Sequence, residues 1–147
     1  MSLIETLNAD MKQAMRDQDK QVLSVIRMVK GAIQLEQINK QKELNDEEII
    51  DVIFKQIKMR NESIAEFKKA NRLELVEETE KEIAILNKYL PKQLTDDELE
   101  QIIDEVIKFN NFTNVNEMGK IMKEVLPKVK GKCDLGKVNA IIRNKLS

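Results

Sequence analysis

The sequence predicts an all-α protein, with four helices in an N-terminal region and a smaller three-helix domain at the C-terminal end. Three observations carry this. The material of strands and tight turns is scarce in the 147 residues, which hold four Gly, two Pro, four Phe, one Tyr and no Trp. Leu, Ile, Glu, Lys and Gln are abundant, and most of these enter helices at little cost in side-chain entropy. Apolar residues recur three and four positions apart in one segment after another, the period of a helix with one buried face.

The elements follow in order. Ser2 with Glu5 has the spacing of a capping box, and Leu3, Leu7, Met11 and Met15 form a stripe running to about Arg16. Asp17-Gln18-Asp19 interrupts it. A second helix starts near Lys20, with Val22, Ile26, Val29 and Ile33 on one face and Leu23 and Val25 widening it. Beyond Ile38 the run NKQKELNDEE has almost no apolar face, so the hairpin tip is expected to project into water. Asn45 and Glu48 cap a third helix, striped by Ile49, Ile53, Ile57, Ile64 and Phe67, which should pair antiparallel with the second.

Asn71 and Glu74 read as the next cap, opening a helix through Leu75, Thr79, Ile83, Leu86 and Leu90 that Pro91 stops. Pro91 to Leu94 is the domain boundary, separating an N-terminal helical domain, residues 1–90, from a C-terminal domain, residues 95–147. Thr95-Asp96-Asp97-Glu98 is the strongest capping box, with acids where the helix dipole favours them. Its helix carries Leu99, Ile102, Ile103, Val106 and Ile107 to a turn at Asn110-Asn111. Asn114 and Glu117 begin a sixth helix buried through Met118, Ile121, Met122 and Val125, which Pro127 ends or tightens. The segment PKVKGKCD reads as a loop, and Asp134 caps a last helix lined by Leu135, Val138, Ile142 and Leu146.

Composition narrows the chemistry. With no histidine, the chain has no Ser-His or Cys-His nucleophile pair and no imidazole metal ligand, and a single Cys133 closes no intrachain disulfide or thiolate cluster. No catalytic residue, metal site or cofactor is therefore expected. No stretch approaches 18 apolar residues, and MSLIETLNADMK lacks the basic and apolar regions of a signal peptide. The expectation is a cytoplasmic protein with no membrane partner. Gly131 to Lys137 fits G-x-x-x-x-G-K, but Val138 stands where a magnesium-binding hydroxyl belongs and a helix precedes it, so a glycine stop followed by an Asp cap is the better reading. Glu77, Glu78, Glu80 and Glu82 read as a solvated helical face. Cys133 lies among Lys130, Lys132 and Lys137, which favour a thiolate, yet it lacks a base partner and reads as structural or incidental. The methionines fall mostly on apolar stripes and read as core.

Charge is unevenly placed. Overall, 25 basic residues nearly balance 26 acidic ones. Residues 91–116 hold two basic against six acidic residues, net −4, whereas residues 117–147 hold eight against three, net +5. One reading is a nucleic-acid contact: Lys128, Lys130 and Lys132 about Gly131, assisted by Lys120, Lys123 and Lys137, with a phosphate meeting ammonium groups and free amides together. The other is compensation of helix dipoles and pairing with the acidic helix. No aromatic residue accompanies the patch, which favours recognition of shape and backbone over stacking of bases.

Three segments carry a family resemblance: VLSVIRMVKGAI, the run from KQIKMRNESIAEF through NKYLPKQLTDDELEQII, and MGKIMKEVLPKVKGKCDLGKVNAIIRNKL. Through them the chain resembles the GatB/YqeY family, in particular its stand-alone YqeY-like members. The tail is similar to the C-terminal domain of the GatB subunit of tRNA-dependent amidotransferase, matching at Met118, Gly119, Lys120, Lys130, Gly131, Lys132 and Val138-Asn139. The resemblance implies an all-α two-domain fold and a link to tRNA, without the active sites of that complex. It implies a non-catalytic tRNA-binding or tRNA-metabolism accessory protein whose partner is tRNA or an aminoacyl-tRNA-processing protein. The alternatives are a component of a glutamine-dependent amidotransferase, a carbon-nitrogen ligase, and a helical adaptor that binds proteins through its hairpin tip.

Overall fold

A computed structural model describes residues 2–146. Seven α-helices and one 3-10 turn make up its regular structure, with no strand among the described residues. The helices are α1 Leu3–Asp17, α2 Lys20–Lys40, α3 Asp46–Lys69, α4 Leu73–Asn87, α5 Asp96–Asn110, α6 Met118–Val129 and α7 Leu135–Leu146. They group into two compact units, Met1–Leu90 and Pro91–Ser147.

In the first unit, Leu7, Ile26, Val29, Ile53 and Leu86 are among the side chains forming one core. Helices α2 and α3 are antiparallel: Lys40 at the end of α2 reaches Glu48 at the start of α3, and Met28 in mid-α2 meets Arg60 far along α3. Asn45 and Glu48 make both bonds of a capping box. The tip between these helices is less polar than expected, because Leu44 turns inward and is buried.

The stripe of α1 also departs from the simple pattern. A four-residue step advances about 400° around a helix, so a run at that spacing drifts about 40° per step and Met15 ends about 120° from Leu3. Met15 is accordingly exposed and Ala14 is buried in its place. Met28 and Met59 are exposed as well, correcting their assignment to the core. Asn71 does not open α4. It adopts φ 56° and ends α3 instead, with the Arg72 N–H donating to the Phe67 carbonyl, the bond of a Schellman stop. Helix α4 begins without a side-chain cap and ends at Asn87, before Pro91 can act. It buries Val76, Thr79, Ile85 and Leu86. The same Schellman closure recurs at Gln18, Gln41 and Asn111, all with φ near 55° and none a glycine.

Arg60 is the least expected interior group. It is 6 % exposed, with its Nε donating to Glu82 Oε1 at 3.0 Å and its Nη1 to the Gln56 carbonyl and Oε1. It thereby ties α3 to α4 within the core.

The second unit packs Leu99, Ile103 and Val106 of α5 with Ile121, Val125 and Val129 of α6 and Val138 and Ile142 of α7. Thr95 and Glu98 complete the expected capping box. Asn114 caps a 3-10 turn, Val115–Glu117, rather than α6 directly. Leu135 opens α7 outside the core and is exposed. Pro127 lies within α6, which runs two residues further, so Val129 is a core residue and Lys128 is helical rather than part of a loop.

Candidate nucleic-acid interface

Helix α6 is positioned by its buried face of Ile121, Val125 and Val129, which leaves Lys120 and Lys123, one turn apart, on the opposite face in water. Lys128 stands about 80° around the helix from Lys120, and Glu124 falls midway between them. The structure therefore brings Lys120 and Lys123 onto one face and sets Lys128 on its flank, with one carboxylate interrupting the basic surface.

The helix ends at Lys130, whose N–H donates to the Leu126 carbonyl. Gly131 then takes φ 76°, a conformation open to glycine, and turns the chain so that the Lys132 N–H returns to the Val129 carbonyl at 2.8 Å. Two bonds from the preceding segment fix this loop. The Leu94 N–H donates to the Lys132 carbonyl at 2.8 Å and Gln93 Nε2 donates to the Gly131 carbonyl at 3.0 Å. Gln93 and Leu94 are the positioning residues that sequence reading missed, because their pairing spans 38 residues and has no local signature.

Four of the amides around the expected phosphate position are already bonded within the chain. The amides of Lys130 and Lys132 are bonded to helix carbonyls, and Asp134 accepts from the Gly136 N–H through Oδ1 and from the Lys137 N–H through its carbonyl. The side chains of Lys130 and Lys132 are exposed on this loop.

Part of the positive charge is paired. Lys137 Nζ lies 3.3 Å from Asp96 and Lys145 Nζ 2.8 Å from Asp104. The hydrogen bond to Asp104 holds the Lys145 ammonium above its ordinary pKa. Compensation by the acidic helix thus accounts for Lys137 and Lys145. Lys120, Lys123, Lys128 and Lys132 are exposed and make no ion pair among the described residues. Cys133 is buried in the core of the second unit. Burial and then Asp134 push its thiol up, outweighing Lys137, so the lysines do not make it a thiolate. No group of three or more metal-ligating side chains occurs among the described residues, and no helix among them is long and apolar enough to cross a membrane.

A family model described as "Yqey-like protein" matches residues 4–146. A protein of Pyrenophora tritici-repentis named "Altered inheritance of mitochondria protein 41, mitochondrial" is 35 % identical over 138 residues, covering 88 % of this chain and 72 % of its own length. The protein of the same name from Candida glabrata is 31 % identical over 130 residues, covering 87 % and 71 %. These names correct the cytoplasmic expectation, since similar proteins are designated mitochondrial. The physical reason is that composition and cysteine usage describe a folded domain, and a helical bundle of this kind suits more than one reducing compartment.

Proposed function

The chain belongs to the YqeY-like family, and from that premise we propose that it is a non-catalytic tRNA-binding or tRNA-metabolism accessory protein that meets its partner through the second unit. The observation that supports this reading most is the set of exposed lysines on α6 and the loop after it, Lys120, Lys123, Lys128, Lys130 and Lys132, on a loop held in place by Gln93 and Leu94. Lys137 contributes once a phosphate competes with Asp96 for it. The relatives' names speak of mitochondrial inheritance and not of tRNA, so the reading rests on this surface together with the resemblance of the tail to an amidotransferase domain.

The test is tRNA binding as a function of salt. Replacing Lys128, Lys130 and Lys132 by Ala should weaken binding about tenfold or more, and every phosphate that one of these lysines neutralises should account for about 0.7 to 0.9 in the slope of log affinity against log salt. The control is Lys55, Lys58 and Lys68 replaced together, three α3 residues for which no ion pair occurs among the described residues. Equal effects from both triples mean unspecific attraction. No binding by the unaltered protein near physiological salt removes the reading, and amidation of misacylated tRNA by the purified protein replaces it with catalysis.

A further inference from the structure

Helix α2 has two apolar faces, and the core uses one. Val25, Ile26, Val29 and Ile33 are buried. About 150° around the helix from them lies a second stripe, Ser24, Met28, Gly31, Leu35 and Ile38, whose 4-3-4-3 spacing is that of a coiled-coil seam. Its large members are open to water, Met28 at 51 %, Leu35 at 60 % and Ile38 at 67 % exposure. At its centre, a Cβ added to Gly31 would meet nothing within 4 Å, so another backbone can approach closely there. Arg60 Nη2 lies 3.5 Å from Met28 Sδ and steadies that side chain from below.

We propose that this seam is where a second copy of the chain docks, α2 against α2 in antiparallel orientation, about a two-fold axis beside Gly31. The stripe is self-complementary in that sense. Around the axis Met28 packs on the second copy's Leu35, Ser24 sits beside its Ile38, and the two Gly31 residues cross at the centre. Antiparallel helices oppose their dipoles and set Arg27 opposite Gln34, an uncharged neighbour. The three large side chains leave roughly 300 Å² of apolar surface per copy, and with their flanks the pair reaches about 1,200 Å² in total, the low end for a specific interface. The dimer is therefore weak and depends on concentration.

Sedimentation velocity of the full chain from about 1 μM to about 1 mM tests it, that range bracketing the affinity of so small an interface. The expected result is a reversible shift from monomer to dimer, with Leu35→Glu raising the dissociation constant about tenfold or more. Ile38→Lys is measured beside it, so that the outcome does not hang on one variant. In a Cys133→Ala background, Gly31→Cys should form a disulfide-linked dimer on mild oxidation. Ser24→Cys alone should not, because antiparallel packing holds its two copies about 21 Å apart along the seam, far beyond the reach of a disulfide. A chain that stays monomeric throughout, a dimer indifferent to both charged variants, or self-linkage through Ser24→Cys overturns the proposal; the first leaves the seam to a different partner, and the last means parallel packing.

Discussion

The ion pair of Arg60 and Glu82 should behave asymmetrically when its halves are removed. Arg60 is inside, with a side chain 7 % exposed, whereas Glu82 is 24 % exposed and can recover water if its partner goes. Glu82→Ala leaves a guanidinium in the core with Gln56 as its remaining oxygen partner. Stranding a fully buried charge costs about 3 to 5 kcal/mol, and a hydrogen bond to a charged group is worth about 1.5 to 3, so this half-buried pair should lose about 2 to 3 kcal/mol. In a unit of this size each kcal/mol moves the melting temperature by about 4 to 8 °C, which predicts a fall of about 8 to 24 °C. Arg60→Met fills similar volume without a charge and should cost about 1 kcal/mol, the loss of one net hydrogen bond. The double variant should then be more stable than Glu82→Ala alone. The chain supplies its own probe, because its one tyrosine, Tyr89, lies in the first unit with its hydroxyl on Asp10 and there is no tryptophan, so intrinsic fluorescence reports that unit's unfolding. Urea titrations of the three variants give the cycle. A Glu82→Ala variant within about 0.5 kcal/mol of the unaltered protein, inside the usual range of surface substitutions, would refute the reasoning.

Two further outcomes are expected. The Asn45 N–H, followed by Lys42 and Lys40, holds the Glu48 carboxyl down at about 2, below its ordinary 4.5, so its contribution is complete above pH 4.5 and is lost as pH falls toward 2; Glu48→Gln should flatten the acid limb of a plot of melting temperature against pH, and an unchanged limb would rule the group out. A fragment ending at Leu90 should keep helical circular dichroism and melt cooperatively, because its core is drawn from α1 to α4 and the segments between them; a featureless melt would show that the second unit is needed to fold the first.

Much of the helical layout was legible because its signals are local. Asn45 with Glu48 and Thr95 with Glu98 announce their helices in four residues, and the structure makes both bonds in each. Ambiguity entered where one residue type serves two local purposes. Asn71 suits a helix start and a left-handed helix stop equally well, and the choice fell to the end of α3. Arg60 was legible in principle, standing eleven residues after Ile49 on the same helical face, a charged group at a core position; its partners were not, since Glu82 lies 22 residues away on another helix. The candidate interface divides the same way. The basic surplus is a matter of counting, but whether a lysine is spoken for depends on tertiary neighbours, as Lys137 and Lys145 show against Asp96 and Asp104.

The left-handed closures at Gln18, Gln41, Asn71 and Asn111 bear on the state in which nothing is folded. A side chain at positive φ costs about 1 kcal/mol in the native backbone, which glycine would not incur. Glycine, however, widens the freedom of the unfolded chain by a similar amount, about 0.5 to 1 kcal/mol. With four glycines in 147 residues, the denatured ensemble of this protein is comparatively stiff, and each joint exchanges strain in one state for restricted wandering in the other. Helix ends of this kind constrain where the chain can turn even before its cores assemble.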